Sequence, residues 1–160
     1  PRDPCQLLQS SGAHVDVVDR NPDRHPHALN FGALRTASSR AELDQPDGWD
    51  LVVEATGSTA ALEDGLAAVR DAGRLHVFGV SSPDAIARIS PYEIFAKELS
   101  LTGSQSLQRT FERAARTLAT GRLDGDKLLS HRVPLTATAT ALDLVRRGDG
   151  IKTQLAGAAS

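Results

Sequence analysis

Apolar residues in this chain gather in short runs, and between the runs they recur every three or four positions among polar residues. That alternation predicts parallel strands joined by helices that cover the sheet. Five runs read as strands. Residues 14–19 carry the β-branched Val15, Val17 and Val18 and stop at the polar cluster Asp19-Arg20-Asn21-Pro22. Residues 50–55 (DLVVEA) lead into Thr56-Gly57-Ser58, and residues 74–80 (RLHVFGV) lead into Ser81-Ser82-Pro83. Residues 99–104 and 151–155 are the fourth and the last.

The helical periods predict a helix end over 6–11 closed by Gly12, and a helix over 60–72 with Gly73 as its C′ residue. Two more are predicted over 107–119, stopped by Gly121, and over 136–147. Ser90-Pro91-Tyr92-Glu93 forms a capping box that can answer the first free amides of a short helix ahead of the fourth strand. A short apolar piece covers 128–133. No repeat and no linker rich in Pro, Gly or Ser divides the chain. Residues 1–155 therefore read as one α/β domain, a doubly wound parallel sheet, and 156–160 as a frayed tail.

Composition narrows the function. The 160 residues, 40% of them hydrophobic, suffice for one sizeable core and not for two domains of ordinary size. Eighteen basic and 20 acidic residues give a net charge of −2, with neither sign gathered into a block, so no nucleic-acid or membrane partner is expected. A small neutral or anionic ligand fits this balance better. The single cysteine, Cys5, allows no internal disulfide and no cysteine-rich metal site, which reads as a cytoplasmic chain. No apolar run approaches the roughly 18 residues of a spanning helix. Pro1-Arg2-Asp3-Pro4 lacks the apolar core of a signal peptide, so no export is expected.

The residues with chemical meaning lie at strand ends. Asp19 closes an apolar strand, where an acidic residue in a dinucleotide-binding unit accepts from ribose hydroxyls and repels a 2′-phosphate. It can equally be turn chemistry, with Asn21 as N-cap and Pro22 as first helical residue. Arg20 and Arg24 can flank an adenosine beside it or be solvated charges. Thr56-Gly57 sits at the carboxyl end of the second strand, where open α/β sheets place their ligand crevice. Gly57 there serves either close approach of the backbone to a cofactor or only a tight strand-to-helix turn. Gly79-Val80-Ser81 and Gly103-Ser104 end two further strands, so three strand ends carry a glycine followed by a small or hydroxyl residue. The five histidines form no ligand cluster, and His25-Pro26-His27 reads as a solvated loop pair. No G-x-S-x-G elbow, P-loop or H-E-x-x-H occurs, so hydrolytic chemistry of those kinds has no support.

Six phrases recur in a fixed order: Gly12-Ala13-His14-Val15-Asp16-Val17-Val18-Asp19, Asp50-Leu51-Val52-Val53-Glu54-Ala55-Thr56-Gly57, Gly73-Arg74-Leu75-His76-Val77-Phe78-Gly79-Val80, Lys97-Glu98-Leu99-Ser100-Leu101-Thr102-Gly103-Ser104, Leu129-Ser130-His131-Arg132-Val133-Pro134-Leu135 and Gly150-Ile151-Lys152-Thr153. Together they resemble the cofactor-binding half of medium-chain zinc-dependent dehydrogenases, the family of alcohol, sorbitol, arabinitol and threonine dehydrogenases. The resemblance covers nearly all of 7–155 and implies a Rossmann-like fold with NAD as cofactor. It implies hydride transfer between NAD and an alcohol or sugar alcohol. Under it Asp19 binds the adenosine ribose, Thr56 and Gly57 line the adenine side, and Gly79, Val80 and Ser81 approach the nicotinamide.

The chain departs from the family in two places. The family's G-x-G-x-x-G turn and the strand before it are absent, and Pro1-Arg2-Asp3-Pro4-Cys5 stands in their place. The pyrophosphate thus lacks main-chain donors. That strand is the central one of the 3-2-1-4-5-6 order, so the strands at 14–19 and 50–55 must pair anew or leave backbone groups unsatisfied. The N-terminal domain holding the family's zinc ligands is also absent. No catalytic residue and no metal ligand therefore carries over, and the chain alone is expected to be inactive. Gln105-Ser106-Leu107 follows Ser104 where sorbitol dehydrogenases continue with an aromatic residue and an arginine, which leaves the substrate open. Two other functions stay in view: a non-catalytic nucleotide-binding regulatory module, and a zinc-independent quinone reductase, against which Asp19 argues. A homo-oligomer is compatible with each.

Overall fold

The computed structural model describes residues 5–105, 110–121 and 123–157. Its elements in chain order are α1 (Cys5–Gln9), β1 (Asp16–Val18), α2 (His25–Asn30), β2 (Arg35–Ala37), β3 (Trp49–Glu54), α3 (Thr59–Ala68), β4 (Val69–Val77), α4 (Pro91–Ala96), β5 (Ser100–Gly103), α5 (Phe111–Ala119), β6 (His131–Pro134), α6 (Thr138–Arg147) and β7 (Thr153–Ala156). Every strand pair is parallel, and the architecture is α/β and Rossmann-like. The chain forms two compact units, one built on Asp44–Thr110 and the other on Arg2–Leu43 with Phe111–Ser160.

The Asp44–Thr110 unit is a three-stranded sheet in the order β3-β4-β5, with Val52 opposite Leu75 and Leu75 opposite Leu101. Leu75 is fully buried and clusters with Leu66, Val69 and Leu99, while Val52, Leu62, Ile94 and Leu101 pack around them. Alternation along β4 aims Leu75 at this core and turns Arg74 and His76 to the opposite face. The helix expected over 60–72 ends instead at Ala68, and Gly73 is not its cap. Val69 already pairs with Trp49, after which the register shifts before Leu51 meets Arg74. A Cβ on Gly73 would stand 2.5 Å from the Val69 side chain and 2.8 Å from the Arg70 carbonyl, so this glycine serves the tight bulge. Arg70 Nε donates to Asp50 Oδ1 at 2.7 Å across the bulge, and that guanidinium holds the Asp50 carboxyl below its usual range.

The second unit pairs β1 with β2 and, separately, β6 with β7. Its core joins Cys5, Val15, Ala28, Phe31 and Ala33, with Leu8, Val17, Leu128 and Ile151 against them. β2 had no apolar run to announce it. What holds it is an ion pair across the register, Arg35 Nε to Asp16 Oδ1 at 3.0 Å and Arg35 Nη2 to Asp16 Oδ2 at 2.6 Å. His25 and His27 lie in α2, not in a loop. Gly148 closes α6 with φ +69, the left-handed C′ geometry glycine favours. Residue 156, expected in the tail, is the last of β7, and the rest of that tail beyond 157 lies outside the described residues, as does 107–109 of the helix expected over 107–119.

Of the two outcomes expected for the strands at 14–19 and 50–55, a new pairing is not seen among the described residues. Among the described residues β1 pairs only with β2, and β3 only with β4, so each keeps an open edge. The apolar Val18 of β1 and Leu51 of β3 are correspondingly exposed, although parallel strands are ordinarily covered. No helix among the described residues is long and apolar enough to cross a membrane.

Leu75→Ala is expected to lower the unfolding free energy by about 2–5 kcal/mol. Leu34→Ala, at a side chain 64% exposed, should stay within about 0.5 kcal/mol. Urea denaturation followed by circular dichroism compares the two.

Candidate functional site

Parallel pairing brings the carboxyl ends of β3, β4 and β5 to one edge of their sheet, and the residues singled out from sequence fall there. Thr56 and Gly57 follow β3, Gly79, Val80 and Ser81 follow β4, and Gly103 ends β5 with Ser104 next to it. In the other unit Asp19, Arg20 and Arg24 follow the carboxyl end of β1.

The ends of β3 and β4 meet backbone to backbone. Gly57 adopts φ +78, and a Cβ there would collide with the Val80 carbonyl. A Cβ on Gly79 would in turn collide with the Gly57 amide, and would stand 2.6 Å from Glu54 Oε2. Both glycines are thus required by the close approach of one strand end's backbone to the other, a reason distinct from the cofactor approach and the tight turn that sequence weighed at Gly57. Gly103 is different: its nearest neighbour would be 3.7 Å from an added Cβ, an ordinary contact.

Glu54 lies beneath the turn, buried inside the strand end. Its Oε1 accepts from the Thr56 amide at 2.5 Å, the Thr56 hydroxyl at 2.5 Å and the Gly57 amide at 2.8 Å. Its backbone carbonyl accepts from the Phe78 and Gly79 amides, both at 2.8 Å. Further along, Thr56 Oγ1 accepts from the Ser58 amide, and Ser58 Oγ caps α3 by accepting from the Ala61 amide. The Thr56, Gly57, Ser58 and Ala61 amides around the start of α3 are therefore engaged within the chain. The exposed surface left to a ligand is neutral backbone at Gly57 and the projecting Val80, 91% exposed. Glu54 was not among the residues picked from sequence. Its signal was available: an acidic residue inside an apolar run.

His76 was read only as one of five scattered histidines, yet it ties β5 to β4. Its Nδ1 lies 2.9 Å from Thr102 Oγ1 and its Nε2 3.1 Å from Ser104 Oγ.

Around Asp19 the turn chemistry is present in full. Asp19 Oδ1 accepts from the Asn21 amide at 2.9 Å, Asn21 Oδ1 caps a 3-10 turn at Pro22–Arg24 by accepting from the Asp23 amide, and Pro22 is its first residue. Asp19 Oδ2 faces Arg24 Nη1 at 3.4 Å, and His25 Nε2 lies 2.8 Å from the Asp19 carbonyl oxygen. Arg24 Nε is buried with no partner, whereas Arg20 is exposed. A carboxylate has about four lone-pair sites, so Asp19, its side chain 30% exposed, keeps capacity for a ligand hydroxyl.

The family model described as zinc-binding dehydrogenase matches residues 4–120. The chain belongs to that family. Among curated relatives of this zinc-binding dehydrogenase chain, D-altritol 5-dehydrogenase of Agrobacterium fabrum is 39% identical over 135 residues, 81% of this chain and 39% of the relative. D-arabinitol dehydrogenase 1 of Uromyces fabae is 36% identical over 139 residues, 86% of this chain and 40% of the relative. The chain thus spans about two fifths of the length of these relatives. Among solved structures, alcohol dehydrogenase TADH from Thermus sp. ATN1 superposes with a TM-score of 0.82 at 27% identity, covering 96% of this chain and 46% of that one. A zinc-binding dehydrogenase from Sinorhizobium meliloti, bound to NADP, gives 0.82 at 24% identity over 94% of this chain and 47% of that one.

Gly57→Ala should destabilise the chain by about 2 kcal/mol or more, through positive φ and the clash together. Gly79→Ala should cost about 1–3 kcal/mol through the clash alone. Gly103→Ala should stay within about 0.5 kcal/mol. Thermal unfolding midpoints rank the three, and an unshifted midpoint for Gly79→Ala would contradict the interlock.

Proposed function

We propose that this chain is the cofactor-binding portion of an oxidoreductase that transfers hydride between NAD and an alcohol or sugar alcohol. The observation that carries the reading is the shared carboxyl edge, where two glycine-bearing strand ends interlock backbone to backbone beside the projecting Val80. Family membership supports it, and the names of the matched relatives, dehydrogenases of D-altritol and D-arabinitol, support a polyol as substrate class. NAD bound along such an edge would supply the hydride acceptor. Thr56, Gly57, Gly79, Val80 and Ser81 would lie along it, with Gly103 and Ser104 at the neighbouring strand end.

Asp19 supports NAD over NADP, because its carboxylate can accept from ribose hydroxyls and repels a 2′-phosphate. Arg24 at 3.4 Å tempers that repulsion without removing it. The turn that gives the family's phosphates their main-chain donors is not among these residues, since the sequence holds no G-x-G-x-x-G, and the Gly57 and Ala61 amides are engaged within the chain. Zinc does not fit these residues either, since no group of three His, Cys, Asp or Glu side chains among those described can hold a metal. No step is assigned to a metal on them. The lone buried Cys5 is in keeping with a reducing, cytoplasmic setting.

Asp19→Ala should shift the ratio of NAD to NADP affinity toward NADP by roughly tenfold or more, since a charge-assisted hydrogen bond contributes about 1.5–3 kcal/mol. Arg24→Ala should shift it the opposite way. Titration of both cofactors into the chain, followed by NMR, measures the ratio; no change in Asp19→Ala would leave Asp19 a turn residue only. The 160-residue chain incubated with zinc and dialysed is expected to retain no stoichiometric metal and to oxidise no alcohol. Metal analysis and an NADH absorbance assay test both, and turnover by the chain would refute it.

A further inference from the structure

Glu54 is the one buried charged or polar residue among those described, at 5% exposure, and no cation stands within ion-pair distance of it among them. A carboxylate withdrawn from water without an opposite charge is unfavourable unless hydrogen bonds replace its hydration. Here three donors do so, all from Thr56 and Gly57. Those donors belong to the turn that meets Gly79 and Val80 across the interlock.

The interlock needs a restraint of this kind. Two glycines in backbone contact have no side chains with which to fix their separation, and glycine is the residue with the widest conformational choice. A side chain placed above the edge would restrain them but would occupy the ligand's space. Glu54 restrains them from below: its Oε1 holds the turn, its carbonyl holds the Phe78 and Gly79 amides, and its Oε2 faces Gly79.

We propose that Glu54 is a positioning residue, whose buried carboxylate fixes the Thr56-Gly57 turn against Gly79 and so sets the surface on which a dinucleotide rests. This rests on the cofactor reading above. Glu54 touches no ligand in this scheme and acts through the two glycines.

The test is NMR titration of the 160-residue chain with NADH, with thermal unfolding alongside, for wild type, Glu54→Ala, Glu54→Gln and Glu54→Asp. Glu54→Ala should weaken NADH binding by about tenfold, the scale of stranded amides losing an acceptor. It should also shift the Thr56, Gly57 and Gly79 amide signals. Glu54→Gln keeps one oxygen at the same reach and should return affinity to within about threefold of wild type. Glu54→Asp, one methylene short, should bind more weakly than Glu54→Gln despite keeping the charge, and this comparison decides the matter if Glu54→Ala does not fold. A merely structural role would lower unfolding temperatures and leave the affinity of the folded chain unchanged in every variant, which would overturn the proposal. Absence of NADH binding by wild type would instead overturn the cofactor reading itself.

Discussion

Parallel pairing is the constraint on which the rest depends. Once β3, β4 and β5 run in one direction, their carboxyl ends must share an edge, and the loops that leave them must crowd together there. The core follows from the same arrangement. Leu75 sits on the middle strand with a partner on each side, and α3 lies over it through Leu62 and Leu66. The amino ends of β3 and β4 are tied differently, through the Asp50 and Arg70 pair across the bulge, at an exposed position where charge pairing contributes geometry more than stability.

Crowding at the carboxyl edge explains why glycine stands at both 57 and 79, and why a buried acid accompanies them. Each glycine removes a side chain so that two backbones can touch; together they leave the contact without a restraint of its own. The chain restores one by withdrawing Glu54 from water and returning its hydration as three hydrogen bonds from the adjoining turn. That choice has an electrostatic side effect: the turn ahead of α3 carries an internal anion that already engages the Thr56 and Gly57 amides.

Much of this was legible in the sequence, because β-branched runs ending in glycine encode both a strand and its exit. Six of the seven strands had an apolar run beneath them, that of β6 read only as a short apolar piece, and the strand-end residues Gly57, Gly79 and Gly103 fall where the runs stop. β2 escaped because Arg35-Thr36-Ala37 has no apolar run and is held in place by a charged pair whose partner lies 19 residues earlier. The length of α3 was misjudged because Ala67 to Ala72 is helix-compatible by composition, and pairing of Val69 with Trp49, a non-local term, ends the helix first. Chain length led to the expectation of a single core, whereas the buried residues described form two clusters, one in each unit, each covering its own short sheet.

Asp19 shows why a motif read two ways need not resolve to one. Its Oδ1 completes the turn with Asn21, its Oδ2 faces Arg24, and its carbonyl meets His25, which satisfies every element of the turn explanation. Those contacts are also compatible with the proposed ribose-binding role. A side chain on a free strand end would have to be ordered by its ligand, at an entropic cost drawn from binding. Held by the turn, Asp19 is ordered beforehand, with lone pairs left over on a carboxylate that is still partly exposed. Arg24 acts on both counts. It steadies the carboxylate and sets a positive charge 3.4 Å from it, so under the proposed cofactor reading the choice between NAD and NADP would be a balance between two neighbouring charges rather than the property of one residue.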